Sequence, residues 1–118
     1  MKLSDFERAV LTACFEVHPE ADTALAQLEK ATVTNREYTG CGVFVHLQIE
    51  NARPLEDSKR TLEGRAGIFL SHPELKDGAD VIVFLKDGIL DFLEMVTFGP
   101  EDWPKNGDTF VIERSEKD

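Results

Sequence analysis

The sequence predicts an α+β domain: an N-terminal helical hairpin packed on a largely antiparallel β-sheet of about five to six strands. Three observations carry that reading. The first thirty residues repeat their apolar positions at helical spacing, behind a helix start signal at Ser4-Asp5-Phe6-Glu7. From Thr32 onward the apolar period shortens to that of strands. Near the C-terminal third, two β-rich runs flank Asp87-Gly88, a pair that supplies the positive φ angles of a tight two-residue turn. Helices segregated from strands, joined by hairpin-type links, give this class rather than alternating β and α units.

The elements follow in order. Ser4 and Glu7 stand three apart, as a capping box requires. Leu3, Phe6, Val10, Cys14 and Val17 then recur at helical spacing, with Leu11 and Phe15 beside them. This predicts a helix from about Asp5 to Val17, ended by His18-Pro19 because a residue before proline avoids the helical region. Pro19-Glu20-Ala21-Asp22 reads as the first turn of a second helix running to about Lys30 and burying Ala21, Ala24, Leu25 and Leu28. Val33 to Thr39 is polar and β-branched, an edge strand or an extended arm. Gly40-Cys41-Gly42 punctuates it. Val43 to Glu50 alternates: Val43, Val45, Leu47 and Ile49 face the core, while His46, Gln48 and Glu50 share the other face with Phe44. Asn51 to Gly64 holds Pro54 and mixed charges and reads as a surface loop. A strand is expected over Arg65–Leu70, a turn-rich linker over Ser71–Gly78, a turn over Gly99–Pro104 and a last strand over Thr109–Arg114.

The hairpin Val81–Phe98 raises the functional question. In simple register across Asp87-Gly88, Lys86 pairs with Ile89, Leu85 with Leu90 and Val83 with Phe92. One face then carries Val81, Val83, Leu85, Leu90, Phe92, Val96 and Phe98, with Glu94 at its far end, and should be the core face. The other carries Ile82, Phe84, Ile89, Leu93 and Met95, with Lys86, Asp91 and Thr97 among them. That second face is more apolar than a solvated sheet face should be. The two helices cover one face, and no internal element remains to cover the other.

Composition narrows the function classes. The chain has 118 residues, the size of one domain (1–118), and 42% apolar residues. Such a chain buries roughly two-thirds of its unfolded surface without needing a disulfide or metal. No run approaches the ~20 apolar residues of a membrane span. The N-terminus lacks the apolar stretch of a signal peptide, and a cytoplasmic location is expected. Cys14 and Cys41 are then expected as buried thiols. Net charge is −10, and from Asp87 to Asp108 six acids face one base, Lys105. This argues against nucleic acid, whose phosphates require clustered Lys and Arg, and fits steering toward a basic partner.

Motifs for chemistry are sparse. Cys14, His18, Cys41, His46 and His72 are the conceivable metal ligands, but no Cys-x-x-Cys or His-x-x-x-His spacing occurs, so no metal and no cofactor is expected. No cysteine is marked as activated, and no nucleophile elbow, P-loop or dinucleotide fingerprint is present. Asp91 and Glu94 fall on opposite faces in simple alternation and form no close dyad. Trp103, in Glu101-Asp102-Trp103-Pro104, reads as a turn anchor or an interface contact.

Arg36-Glu37-Tyr38-Thr39-Gly40-Cys41-Gly42-Val43-Phe44, Lys86-Asp87-Gly88-Ile89-Leu90-Asp91-Phe92-Leu93-Glu94, Thr97-Phe98-Gly99 and Glu101-Asp102-Trp103-Pro104 resemble segments of a group of small bacterial α+β proteins with no assigned activity. The resemblance covers the C-terminal two-thirds of the chain. It implies the strands and a bacterial origin, and carries no functional residue. Size and acidity are also similar to those of immunity proteins, which neutralise often basic bacterial toxins.

The expectation is therefore a non-enzymatic protein–protein interaction module. Its contact residues would be Ile82, Phe84, Ile89, Leu93, Met95 and Trp103, and its partner a second copy in a homodimer or another, basic protein. The alternative is a small-molecule binder or enzyme with a pocket between the second sheet face and the 51–64 loop, lined by His46, Glu50, Lys86 and Asp91.

Overall fold

Ser4 opens the first helix as expected. Its hydroxyl accepts from the Glu7 amide at 3.0 Å, and the Glu7 carboxylate accepts from the Ser4 amide at 2.8 Å. Helix α1 spans Asp5–Phe15 and α2 spans Ala21–Lys30. The first stops two residues short of the expected end, which leaves Val17 exposed. Its buried stripe is Val10, Leu11, Cys14 and Phe15. The computed structural model describes residues 1–56, 67–105 and 109–114.

Six strands follow: β1 Thr32–Tyr38, β2 Gly42–Gln48, β3 Ile68–His72, β4 Leu75–Lys86, β5 Ile89–Thr97 and β6 Val111–Arg114. They form one sheet in the order β1-β2-β5-β4-β3-β6, every pair antiparallel. Both helices lie on one face. Against them pack Val33, Val43, Val45 and Leu47 from the first two strands, Val81, Val83 and Leu85 from β4, and Leu90, Leu93 and Met95 from β5, all buried. The fold class is the one read from the sequence.

Three local expectations need correction. The linker expected over Ser71–Gly78 is mostly strand. His72 pairs with Leu75 across Pro73-Glu74, and the register shift between Leu70 and His72 falls opposite Gly78, whose φ is +77°. A Cβ on Gly78 would sit 2.4 Å from the Leu70 carbonyl oxygen, so only glycine allows this approach. The strand expected over Arg65–Leu70 runs instead over Ile68–His72; residues 65–66 lie outside the described residues.

The third correction concerns the central hairpin. Asp87 and Gly88 both have positive φ, 53° and 79°, as the two-residue turn demands. Lys86 pairs with Ile89 and Leu85 with Leu90, but the next pair is Phe84 with Phe92. Asp91 is an extra residue, a β-bulge, and beyond it every side chain of β5 changes face. Leu93 and Met95, expected outside, are buried under the helices; Phe92 and Val96, expected inside, are only partly buried. Phe98 is 57% exposed.

A buried glutamine ties helices to hairpin. Gln27 is 1% exposed. Its amide nitrogen donates to the Arg53 and Gly88 carbonyls, and its oxygen accepts from the Leu90 amide, each at 2.9 Å. Leu55 adds a backbone bond to the Gly88 carbonyl at 2.8 Å. A buried amide satisfied this fully fixes α2, the 51–56 segment and the hairpin tip in one arrangement.

Candidate functional site

Alternation places the remaining side chains on the second face of the sheet. The register makes that face a grid. One row across the strands is Asn35, His46, Phe92 and Phe84; the next is Glu37, Phe44, Glu94 and Ile82; the third is Gly42, Val96, Asp80, Phe69 and Glu113. Among the described residues, no helix or loop packs over it.

The rings touch one another. Phe84 and Phe92 stack at 4.2 Å between centroids, Phe44 meets Phe92 edge-on at 5.8 Å, and the His46 ring lies 5.5 Å from Phe92. The Nε2 of His46 is 3.4 Å from Glu37. Cross-strand aromatic contacts of this kind stabilise a sheet, yet these rings stay partly exposed. Carboxylates sit inside the patch as well as around it. Glu94 has Phe44 and Ile82 as cross-strand neighbours, with Phe92 and Val96 two residues away on its own strand. Asp80 lies between Val96 and Phe69.

The expected contact residues divide accordingly. Ile82, Phe84 and Ile89 are on the open face, Ile89 opposite Lys86 at the hairpin end. Leu93 and Met95 belong to the core. Trp103 lies on the other side of the sheet, stacked on Phe110 at 4.9 Å, with its backbone amide bonded to the Gly40 carbonyl. Of the expected pocket residues, His46 is on the open face, Lys86 is exposed at the hairpin end, Asp91 is the bulge residue, and Glu50 is exposed just beyond β2. The 51–56 segment turns toward α2 through Arg53 and Leu55 and does not roof the open face. Residues 57–64 of the expected pocket wall lie outside the described residues.

Periodicity alone missed Phe92, Glu94, Val96, Asp80 and Phe69 as open-face residues. The signal that could have found the three on β5 is the spacing Leu90…Leu93…Met95, three and then two, which keeps aliphatic side chains on one face only if Asp91 is a bulge.

A cleft of about 740 Å³ opens on the covered side, beside the start of α1. Its walls include Phe6, Tyr38, Trp103 and Phe110, with Arg36 and Lys105. Phe6, Phe110 and Trp103 form a continuous stack, with centroids 5.0 and 4.9 Å apart. Two of the cleft's charges are engaged with each other: Arg36 grips both oxygens of Glu7 at 2.7 Å, while Asp5 and Lys105 also line it. Burial pushes the Glu7 carboxyl up, but the Arg36 guanidinium and Ser4 more than offset this, and it is held below the ordinary carboxylate value. Among the described residues of the wall, the Ser4 hydroxyl and the neighbouring Glu7 carboxylate are both committed to the helix cap.

The other chemistry-bearing residues are apart from one another. Cys14 is buried on α1, and burial pushes its thiol up to about 12, with Arg114 drawing it down slightly. Cys41, expected as a buried thiol, is exposed in the β1–β2 turn, where Gly40 takes a φ of +91°. His18 follows α1, and its Nδ1 accepts from the Glu20 amide. His72 is buried; its Nδ1 accepts from the Glu74 amide and its Nε2 lies 2.5 Å from the Thr109 hydroxyl. Among the described residues no three His, Cys, Asp or Glu side chains form a group able to hold a metal ion, and no helix is long and apolar enough to cross a membrane. No protein family, curated protein or solved structure matches the chain.

Proposed function

We propose that this chain is a non-enzymatic binding module that contacts another protein through the open face of its sheet. The observation that carries the reading is the cluster Phe44, Phe84 and Phe92, stacked together on a face that no described element covers. Contiguous exposed apolar patches on small domains mark interaction sites, and aromatic side chains concentrate in the buried centres of protein interfaces. The three rings sit on β2, β5 and β4, interior strands of a six-stranded sheet, a rigid platform that keeps the entropy cost of docking low.

A photo-reactive phenylalanine at position 84 tests the reading, with the same group at Ala26 on the exposed side of α2 as control. The expected result in living cells is a discrete protein adduct from position 84 only. Its partner, once identified and purified, should bind the unmodified chain one to one and lose at least tenfold in affinity on Phe92→Ser. Equal adducts from both positions, or affinity untouched by Phe92→Ser, would overturn it.

A small-molecule reading is favoured by one observation, the aromatic cleft of Phe6, Trp103 and Phe110 on the covered side. Its volume suits a small ligand. The Glu7 and Arg36 charges there are spent on each other, so we favour the open face.

A further inference from the structure

We infer that the cleft beside the start of α1 is a second binding site, and that its ligand is a flat aromatic acid, a ring or fused ring pair bearing a carboxylate. The site lies on the covered side of the sheet and does not depend on the open face. Its base is the cross-strand pair Val43 and Met95. Its sides come from the first turn of α1, the end of β1 and the turn after β5. At about 740 Å³ it has the size of a small-molecule site.

The aromatic wall selects the ring. Phe6, Phe110 and Trp103 come from three separate segments and lie nearly parallel in their stack, with 15° and 27° between planes. All three stay partly exposed. Phe110, the middle ring, is packed by Phe6, Trp103 and the tilted ring of His72. Its faces are taken, so it offers its edge. Ring edges carry the positive part of the aromatic quadrupole and faces the negative part. An edge therefore attracts the face of another ring, or an anion. It does not hold a cation as a box of open ring faces does.

The polar groups select the acid. Arg36 is committed to Glu7. Among the described residues, no hydrogen-bond partner is present for the indole N–H of Trp103, the Tyr38 hydroxyl or the Lys105 ammonium, and all three residues line the cleft. The indole and the ammonium can only donate, and the hydroxyl can do either. Of the described acidic residues in the wall, Glu7 is committed and Asp5 sits in the first turn of α1, where the positive helix end offsets its charge. Donors in surplus beside ring edges suit a carboxylate, which accepts through both oxygens. The backbone amide of Trp103 bonds the Gly40 carbonyl at 2.7 Å, which holds that segment in place before a ligand arrives. The net charge of −10 opposes an acid only at long range, because ~0.1 M salt screens beyond about 10 Å.

The probe is naphthoate added to the full chain, with naphthylmethylamine and cyclohexanecarboxylate as controls. Trp103 is the one tryptophan of the sequence, so its indole N–H gives a single resonance to follow beside titration calorimetry. The expected result is that naphthoate binds and shifts that resonance and the amides of Phe6, Tyr38 and Phe110, while the amine and the saturated acid bind at least tenfold more weakly. Lys105→Gln, at an exposed side chain, should weaken naphthoate about tenfold, and Trp103→Phe, which keeps a ring in the stack, about threefold. Lys86→Gln at the hairpin end should leave the affinity unchanged. No binding at millimolar naphthoate by the folded chain would overturn the inference and reduce the ring stack to a staple between α1 and the segment before β6. Equal binding of the amine, indifference to Lys105→Gln, or shifts confined to β4 would overturn it as well. None of these outcomes decides the open-face reading, which stands or falls on the adduct at position 84.

Discussion

The two faces of the sheet are built from different residues. Under the helices lie aliphatic side chains, Val81, Val83, Leu85, Leu90, Leu93 and Met95, which interlock with Val10, Leu11 and Phe15. On the open side the large residues are phenylalanines, packed against each other and interrupted by Glu94 and Asp80. Aliphatic branching suits the dry interlock of a core. Aromatic rings beside carboxylates suit a surface that is wet alone and covered in company, because rings give large contact area at low entropy cost. The contrast teaches that apolar content alone did not decide which side of the hairpin lies under the helices and which stays open.

Neighbouring residues of β5 give the largest expected difference. Leu93→Ala should destabilise the chain by about 2–5 kcal/mol, the cost of emptying a fully buried aliphatic site. Phe92→Ala removes the ring contacts to Phe84 and Phe44 and should cost about 1–2 kcal/mol. Chemical denaturation of both variants checks this. The reverse ranking would mean that the bulge at Asp91 is not formed and that β5 presents its other face to the helices.

That ranking also marks the limit of what the sequence made legible. The helices, the edge strand β1, the strand β2 and the Asp87-Gly88 turn follow from local chemistry: a capping box, strict alternation, a dipeptide that tolerates positive φ. The bulge at Asp91 does not. It is set where β5 must satisfy both β4 and β2, a condition spread over three strands, and a single extra residue then moves Leu93 and Met95 from one face to the other. Phe84 and Ile82 were correctly placed because they precede the bulge. Gln27 was unreadable for a related reason: its three bonds go to residues distant in sequence, and nothing near it on α2 announces them.

Glu7 sharpens the comparison from the covered side. It is 6% exposed and held by Arg36, so Glu7→Gln should cost about 1–3 kcal/mol at neutral pH. Because the folded-state carboxyl lies below its ordinary value of 4.5, its contribution is fully present above that value and disappears as pH falls through the lower, folded-state value. Stability measured against pH should therefore show wild type and variant converging toward acid. A constant gap at all pH values would assign the loss to packing rather than to the carboxylate.

The cysteines offer the smallest perturbation. Cys41, exposed, should take up an alkylating reagent in the native chain, while Cys14, buried with its thiol pushed up to about 12, should react only at the rate of opening. Mass spectrometry of timed labelling distinguishes one fast site from two.

Hydroxyl-radical footprinting of the isolated chain tests the central claim most directly. Phe44, Phe84 and Phe92 should be oxidised readily, while Phe15 and Leu93 are protected. Protection of Phe84 and Phe92 equal to that of Phe15 in the isolated monomer would contradict the account, because the face on which it rests would already be covered.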